Sequence, residues 1–285
     1  VRAGNFDSAY RAVTGHGMSS GTNYVDAEFF AGWLALTKLK MPSRADEHFA
    51  NIQASGSSPI TLSRAFYWRG RAAEAMGDPV AAAAFYGDGA QDITTFYGQL
   101  AAEKAGLRQI ELPRERTPSL ADRARFDGRD VVRATKILIE LDRQSLFRTF
   151  ILTLDDTLPT VEECALLVDL AYTHGEQELA MRVVRAAAQR GFILPERGYP
   201  VRETPSVLEG PEAAAIFGIT RQESGFDPRV SSGVGARGMM QIMPATARSV
   251  AKRIGVAYDP NRLSDPDYNM RLGSAYLGHM ITGFS

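Results

Sequence analysis

Two stretches of the chain share one pattern: residues 73–85 read AEAMGDPVAAAAF, and residues 171–183 read AYTHGEQELAMRV. In both, an alanine stands four residues before a glycine, a second alanine five residues after it, and a large apolar residue eight residues after it. A glycine between two alanine-rich segments is typical of a helix that stops, turns and continues as a second helix. The pattern therefore predicts helical hairpins whose two helices cross at a small residue.

The composition of the whole chain also favours helices. Alanine, the best helix former, accounts for 39 of the 285 residues, and alternating β-branched residues are scarce. The sequence therefore predicts an all-α protein, with hairpins of the tetratricopeptide-like kind that stack into a superhelix. Gly32 and Gly70 lie 38 residues apart, which departs from a strict repeat of about 34 residues. A generic helical bundle therefore stays open as an alternative.

A cluster of prolines marks the expected domain boundary. Four prolines fall within the 17 residues 195–211. Proline lacks a backbone donor and disfavours helix in the residue before it, so this segment is predicted to be an irregular connector. It separates an α-superhelical domain at residues 1–194 from a second domain at residues 212–285. The chain begins inside a hairpin pattern, so we expect the first domain to continue upstream.

Charge, cysteine content and hydropathy exclude several classes of protein. The net charge is −1, and 45% of the residues are hydrophobic, which is the balance of an ordinary globular protein. Without a basic excess, nucleic acid is not an expected partner. The single cysteine, Cys164, cannot form an internal disulfide. No apolar run approaches the ~18 residues of a membrane helix, so no transmembrane segment is expected. The four histidines lack metal-ligand spacing, and we expect neither a metal nor a cofactor.

A candidate catalytic acid stands near the end of the helix predicted over residues 211–224, which stops at Gly225. Ile216, Ile219 and Glu223 occupy positions i, i+3 and i+7, which places them on one helix face. A carboxyl group on an apolar face loses hydration, which raises its pKa. A general acid needs a carboxyl group that is still protonated near neutral pH. The alternative is a structural glutamate that pairs with Arg221 or Arg237.

Residues 231–238, SSGVGARG, are predicted to form a loop that can bring backbone amides and a hydroxyl close to a ligand. The glycines also match G-x-G-x-x-G, but a dinucleotide site requires a preceding strand and an acid about 20 residues further on, and the sequence predicts neither. Gln241 follows among apolar residues. A lone amide in that setting is either a sugar-binding group or a core group with its hydrogen bonds satisfied.

Residues 221–228 (RQESGFDP), Ser232 and residues 235–247 (GARGMMQIMPATA) resemble the soluble lytic transglycosylases. Residues 63–72 (SRAFYWRGRA) and 95–101 (TFYGQLA) look like the α-superhelical domain of the larger members. The resemblance implies an α-superhelix followed by a lysozyme-like, mainly α catalytic domain. Members of the family continue to an A-Y-N-A-G segment, whose tyrosine hydrogen-bonds the catalytic glutamate. The chain stops before such a segment, so we expect a catalytic domain truncated at its C-terminus.

The resemblance implies an enzyme that cleaves the β-1,4 bond between N-acetylmuramic acid and N-acetylglucosamine in peptidoglycan. No water is added, because the muramyl 6-hydroxyl attacks its own anomeric carbon and gives a 1,6-anhydro product. Glu223 falls on the position of the single acid and base. The resemblance also implies a periplasmic location and, through the helical domain, other cell-wall enzymes as partners. It assigns substrate binding to five residues: Ser224, Ser232, Met240, Gln241 and Met243.

Two other functions stay open. One is a non-catalytic scaffold that binds peptidoglycan, and the other is a lysozyme-type hydrolase. Most glycosidases use a second carboxylate about 5–10 Å from the first. Asp227 is the near candidate, but Pro228 beside it indicates a turn. One acid without an obvious partner favours attack by the substrate's own hydroxyl or acetamide group.

Overall fold

The structure is a computed structural model that describes residues 4–107, 112–200 and 210–283. Helices dominate all three ranges, and the only strand-like pairings within them are isolated bridges from Arg237 to Ser231 and to Ile242. The predicted all-α class is therefore confirmed. Within the described ranges, none of the helices combines the length and the apolar character that crossing a membrane requires.

The chain divides into two compact units, Val1–Pro113 with Ala188–Ile193, and Arg114–Ala187 with Leu194–Ser285. The predicted connector falls partly on residues 201–209, which lie outside the described residues, and the division at 195–211 stays a prediction. The described helices before residue 108 are α1 (Phe6–Thr14), α2 (Thr22–Thr37), α3 (Pro42–Ser55), α4 (Pro59–Met76), α5 (Pro79–Ala90) and α6 (Phe96–Lys104). Those after it are α7 (Leu120–Gly128), α8 (Asp130–Glu140), α9 (Gln144–Asp155), α10 (Val161–Thr173), α11 (Gln177–Gln189), α12 (Pro195–Gly198), α13 (Ala213–Ser224), α14 (Pro244–Arg253), a 3-10 helix (Pro260–Ser264) and α15 (Pro266–Gly283).

The two matching stretches fold as the sequence predicts. Gly77 ends α4 with φ of +77°, and Gly175 follows α10 with φ of +72°. Both angles lie in the left-handed region that glycine adopts without steric cost. Asp78 then caps α5, since its carboxylate accepts the Ala81 N–H at 2.9 Å. The helix–glycine–helix pattern is confirmed at both places.

Glycines allow neighbouring helices of the first unit to pack closely together. A Cβ on Gly32 in α2 would lie 2.5 Å from the ring of Phe49 in α3. A Cβ on Gly70 in α4 would lie 2.5 Å from the ring of Tyr86 in α5. Each aromatic ring therefore packs directly on the backbone of the neighbouring helix, and a larger residue at either glycine would force the pair apart.

In the second unit, one core joins α11 to the segment that carries the candidate acid. Met181 of α11 is fully buried and packs with a group of apolar side chains from α13 and beyond. A Cβ on Gly225, at the end of α13, would already lie 2.9 Å from the Met181 side chain. The packing therefore fixes where α13 ends, and with it the position of Glu223. The other buried members of this core are Ile216, Phe226, Met239, Met240 and Met270.

Candidate active site

The helix α13 ends at Gly225, which has φ of +60°, as the sequence predicts. Its buried face is formed by Ile216, Thr220 and Ser224, which are spaced four residues apart. Thr220 can be buried without cost to its hydroxyl, because the hydroxyl donates to the Ile216 carbonyl at 2.8 Å. Polar side chains can therefore occupy this inner face, since the helix itself satisfies their hydrogen bonds.

The predicted placement of Glu223 on the apolar face is wrong. Ile219 is 39% exposed, and Glu223 is also exposed, so both lie on the open side of α13. Hydrophobic spacing predicts that Ile219 is buried with Ile216. In the structure, Thr220 and Ser224 are buried with Ile216 instead. The Glu223 side chain is therefore not buried among apolar residues.

The Glu223 carboxylate has no hydrogen bond and no ion pair with any described residue. The proposed partner Arg221 is engaged elsewhere: its Nε donates to the Gly198 carbonyl at 2.8 Å. The guanidinium also lies over the Tyr199 ring, 4.5 Å from its centroid. Among the described residues, Glu223 therefore pairs with neither Arg221 nor Arg237, which was the structural alternative. The carboxylate is available to bind a ligand.

Asp227, the second carboxylate near Glu223 in the sequence, is buried and committed to Arg229. Its Oδ1 accepts the Arg229 backbone N–H at 2.9 Å and Nε at 3.1 Å, and its Oδ2 accepts Nη2 at 3.1 Å. Asp227 therefore caps the turn that Pro228 indicates in the sequence. The hydrogen bonds and the negative charge of Asp227 raise the pKa of the Arg229 guanidinium, which also donates to the Gly175 carbonyl. This pair joins the end of α13 to the turn between α10 and α11.

The loop after α13 is closed on itself by Ser232. The Ser232 N–H donates to the Ala236 carbonyl at 2.9 Å, and the Ser232 hydroxyl oxygen accepts the Ala236 N–H at 2.9 Å. Gly235, with φ of +93°, allows the chain to reverse between them. The Ser232 hydroxyl keeps its own hydrogen, and so it can still donate to a ligand.

Gln241 adopts φ of +46°, an unusual backbone conformation for a residue other than glycine. Its Nε2 donates to the carbonyls of Val230 at 2.9 Å and Gly238 at 2.8 Å. Its Oε1 has no partner among the described residues. The amide is therefore held in place by its nitrogen, while its oxygen can accept a hydrogen bond from a ligand.

The five predicted substrate-binding residues fall into two groups. Ser232 and Gln241 are half-buried and Met243 is exposed, so all three reach the surface. Ser224 is buried, and its hydroxyl donates to the Met239 carbonyl at 2.7 Å with the Thr220 carbonyl at 3.2 Å. Met240 is also buried. Contact of the five residues with a sugar stays a prediction. In the structure, Ser224 and Met240 make hydrogen bonds to other residues of the protein.

Asn269 organises the loop, although the sequence analysis gave it no role. It is fully buried in α15, where its Oδ1 accepts the Met240 N–H at 2.8 Å. Its Nδ2 donates to the carbonyls of Arg237 at 2.8 Å and Leu263 at 2.9 Å. A Cβ at Gly238 would lie 2.2 Å from the Leu263 carbonyl oxygen, so the backbone of the loop packs directly against the backbone of the 3-10 helix. The available signal in the sequence was a lone amide between Tyr268 and Met270.

The described residues contain no candidate metal site. Among residues 4–107, 112–200 and 210–283, no group of three histidine, cysteine, aspartate or glutamate side chains could hold a metal ion. The polar groups that the predicted site residues present are the Glu223 carboxylate, the Ser232 hydroxyl and the Gln241 amide oxygen.

Comparison with known proteins identifies the segment that contains these groups. Residues 207–285 match the family described as the transglycosylase SLT domain. The soluble lytic murein transglycosylase of Escherichia coli (strain K12) is 28% identical over 200 residues, which are 66% of this chain and 30% of that protein. An endo-type membrane-bound lytic murein transglycosylase A of Klebsiella pneumoniae is 36% identical over 87 residues, covering 30% of this chain and 43% of that protein. The chain thus spans about a third of the length of the Escherichia coli relative.

Solved structures share the fold over nearly the whole chain. An inactive mutant of the lytic transglycosylase Slt from Pseudomonas aeruginosa aligns with a TM-score of 0.72 and 24% identity, covering 99% of this chain and 46% of that one. The 70-kDa soluble lytic transglycosylase of Escherichia coli aligns with a TM-score of 0.63 and 20% identity, covering 99% of this chain and 44% of that one. These likenesses establish the fold, an α-superhelix followed by a lysozyme-like domain. Residues 207–285 are thus similar to the transglycosylase SLT domain, and the chain shares the fold of the two Slt transglycosylases.

Proposed function

We propose that the chain is part of a lytic transglycosylase that cleaves the β-1,4 bond between N-acetylmuramic acid and N-acetylglucosamine in peptidoglycan. One observation carries this proposal. Within a segment that matches the SLT domain, Glu223 holds an exposed carboxylate without a partner among the described residues, next to a loop that is fixed by buried hydrogen bonds. An acid that is positioned but not engaged suits proton transfer to a ligand.

In the proposed reaction, Glu223 acts first as an acid and then as a base. The protonated carboxyl group gives its proton to the glycosidic oxygen as the bond from that oxygen to the muramyl anomeric carbon breaks. The muramyl 6-hydroxyl then attacks the anomeric carbon, and the Glu223 carboxylate takes the hydroxyl proton. The carboxyl group is regenerated, and the product ends in a 1,6-anhydro ring.

The state of Asp227 supports an intramolecular nucleophile over a lysozyme-type mechanism. A hydrolase with two carboxylates needs the second one free to act as a nucleophile or to activate water. Both oxygens of Asp227 accept hydrogen bonds from Arg229, and the carboxylate is buried. The carboxylate closest to Glu223 in the sequence therefore already has a structural task.

We assign two kinds of task to the five substrate-binding candidates. Ser232, Gln241 and Met243 would contact the sugars, since a hydroxyl hydrogen, an amide oxygen and an exposed thioether are available there. Ser224 and Met240 would act as positioning residues from inside. The Ser224 hydroxyl donates to the Met239 carbonyl and holds the loop against the end of α13, while the Met240 N–H donates to Asn269 and holds the loop against α15.

The substrate places the proposed reaction in the periplasm, where peptidoglycan lies. Peptidoglycan strands are then the main partner. The helices that precede the SLT domain would offer a surface to other cell-wall enzymes.

A digest of purified sacculi tests the proposal. The protein expressed from its full gene is compared with its Glu223→Gln variant, and soluble products are identified by mass spectrometry. Glu212→Gln is the matched control, because Glu212 is exposed at the other end of α13 and its side chain makes no cap hydrogen bond. We expect anhydro-muropeptides from the wild type and from Glu212→Gln, and a loss of at least about 100-fold in Glu223→Gln. Products with ordinary reducing ends would point to a hydrolase, and no release by any version would favour a binding scaffold.

A further inference from the structure

A second concave site lies in the first unit, on the helices that precede the SLT domain. It has a volume of about 580 Å³, which is within the about 300–1,000 Å³ typical of ligand pockets. One side is formed by the end of α2 and the turn into α3, and the other by α4. The pocket is lined by Leu36, Thr37, Lys40, Pro42, Trp68, Arg71, Glu74 and Ala75.

The charges of this pocket favour an anion. Lys40 and Arg71 line it as cations, and Glu74 is the one carboxylate in its lining. Glu74 is already neutralised, because Lys104 Nζ lies 3.0 Å from its Oε1 and Arg71 Nε lies 3.3 Å from its Oε2. A positive charge therefore remains in the pocket.

The Arg71 guanidinium is held in a defined orientation. Its Nε faces Glu74, and its Nη1 donates to the Tyr67 hydroxyl at 3.1 Å. These two partners raise the pKa of Arg71, the hydrogen bond to Tyr67 most of all. Its Nη2 has no partner among the described residues. A guanidinium that is fixed at two nitrogens and open at the third is prepared to bind a carboxylate.

Lys40 occupies a backbone position that favours glycine. Its φ is +57°, in the turn after α2, where Gly77 and Gly225 take similar angles after α4 and α13. A lysine there is sterically strained, and strained residues are retained mainly where their side chains have a function. Lys40 lines the pocket, and its Nζ makes one hydrogen bond, to the Thr37 carbonyl at 3.2 Å. Two of its three donors remain for a ligand.

Trp68 gives the pocket a rigid apolar wall. Its ring is held edge-on by Tyr67, 5.6 Å away between centroids, and by Phe29 at 6.0 Å. Phe49 packs against it at 5.8 Å. An indole fixed on three sides can contact the apolar part of a ligand with little loss of side-chain freedom.

We propose that this pocket binds an acidic peptide, with a carboxylate on Arg71 and Lys40 and the apolar part of the peptide on Trp68. Glu74 and the Thr37 hydroxyl are acceptors for peptide N–H groups. An acidic peptide can contact the Trp68 ring and these acceptors as well as the two cations, whereas inorganic phosphate has no apolar part to place on Trp68. None of the lining residues belongs to the SLT segment, and the pocket adds peptide recognition to the proposed cleavage of glycan.

The fluorescence of Trp68 tests this proposal directly. The chain has two tryptophans, so a Trp33→Phe background leaves Trp68 as the only reporter. The probe is N-acetyl-alanyl-glutamyl-alanine with a free terminal carboxylate. Its glutamine-containing, C-terminally amidated counterpart and inorganic phosphate are the comparison ligands. We expect a saturable change with the acidic peptide and at least about tenfold weaker binding of the neutral peptide.

Lys40→Gly separates binding from folding. Glycine suits the φ of this position, so the variant should melt at the same temperature as the parent or higher while binding the acidic peptide at least about fivefold more weakly. Arg71→Gln should weaken binding by about tenfold. Arg44→Gln is the control, because Arg44 is exposed on α3 and its ion-pair partner among the described residues is Glu47. No saturable change up to about 10 mM, equal binding of the neutral peptide, tighter binding of phosphate, or unchanged affinity in Lys40→Gly would each overturn the proposal.

Discussion

Two glutamates in the chain stand in opposite surroundings. Glu28, in the first unit, is buried and accepts hydrogen bonds from Asn51 Nδ2 at 2.8 Å, His48 Nδ1 at 2.9 Å and His16 Nε2 at 3.1 Å. Glu223, in the second unit, is exposed and has no partner among the described residues. A carboxylate whose acceptors are occupied holds elements of the fold together, whereas a carboxylate at a fixed helix end without partners is available to a substrate.

Both ring nitrogens of each histidine beside Glu28 have a hydrogen-bond partner. The Met18 N–H donates to His16 Nδ1 at 2.9 Å, and His16 Nε2 lies 3.1 Å from Glu28. The Tyr10 hydroxyl lies 2.9 Å from His48 Nε2, and His48 Nδ1 lies 2.9 Å from Glu28. Burial raises the pKa of Glu28, but the hydrogen bonds from Asn51, His48 and His16 outweigh it and hold the pKa below its usual range. The cluster therefore ties α1, α2 and α3 together around one negative charge.

The largest effect on stability is expected at Asn269, which plays the structural part in the second unit that Glu28 plays in the first. Asn269→Asp removes the two donations to Arg237 and Leu263 and places a carboxylate against their carbonyls. We expect a loss of about 3–5 kcal/mol in the free energy of unfolding, measured by urea denaturation. Asn261→Asp makes the same change at an exposed position and should stay within about 0.5 kcal/mol. Similar losses in both variants would show that the amide does not hold the loop.

The comparison of the two glutamates is tested by one substitution made at each position. Glu28→Gln places an amide nitrogen where a carboxylate oxygen accepts hydrogen bonds, and we expect a loss of about 1–3 kcal/mol in stability. Glu223→Gln should change stability by less than about 0.5 kcal/mol, since the carboxylate has no described partner to lose. Thermal and urea unfolding of the two variants measure both effects. Equal losses of unfolding free energy in the two variants would contradict the view that Glu28 stabilises the fold and Glu223 does not.

Acid should weaken the contribution of Glu28 in a defined direction. The pKa of Glu28 is lower in the folded chain than its ordinary value of about 4.5. The unfolded chain therefore takes up a proton first as the pH falls, and the stabilisation by Glu28 is complete above about pH 4.5 and declines below it. The measurement is the difference in unfolding free energy between the wild type and Glu28→Gln at pH 7 and pH 3.5. A difference that grows at acid pH would contradict the assignment.

A smaller effect is expected at the edge of the Glu28 cluster. Tyr10→Phe removes the hydroxyl beside His48 Nε2 and leaves that nitrogen without its partner. We expect a loss of about 1 kcal/mol in the free energy of unfolding. Tyr97→Phe is the control, because Tyr97 lies in the same unit and its ring contacts are retained. A loss in the control as large as that in Tyr10→Phe would assign the effect to the loss of any tyrosine hydroxyl.

Much of the helical architecture could be predicted, because glycine and proline set it locally. The turns at Gly77 and Gly175 and the end of α13 at Gly225 follow from residues within a few positions of each other. The Glu28 cluster could not be predicted in the same way. Its members come from α1, the following loop, α2 and α3, and their meeting depends on how the helices pack, which no local pattern specifies.

The candidate site shows the same limit. The sequence predicts that Glu223 stands near the end of α13 but not which face it occupies. The burial of Thr220 and Ser224 depends on hydrogen bonds, which hydrophobic spacing does not reveal. Asn269 was missed for the same reason. Its three hydrogen bonds reach the loop at Arg237 and Met240 and the 3-10 helix at Leu263, which lie 32, 29 and 6 residues away in the sequence.

The central claim is that Glu223 acts alone and that the substrate's own hydroxyl completes the reaction. The most direct measurement is a digest of sacculi in water labelled with heavy oxygen, using the protein expressed from its full gene, with mass spectrometry of the products. Our account expects muramyl ends in the 1,6-anhydro form without heavy oxygen, and their loss in Glu223→Gln. Muramyl reducing ends that each carry one heavy oxygen atom would show that water is the nucleophile, and would contradict the account.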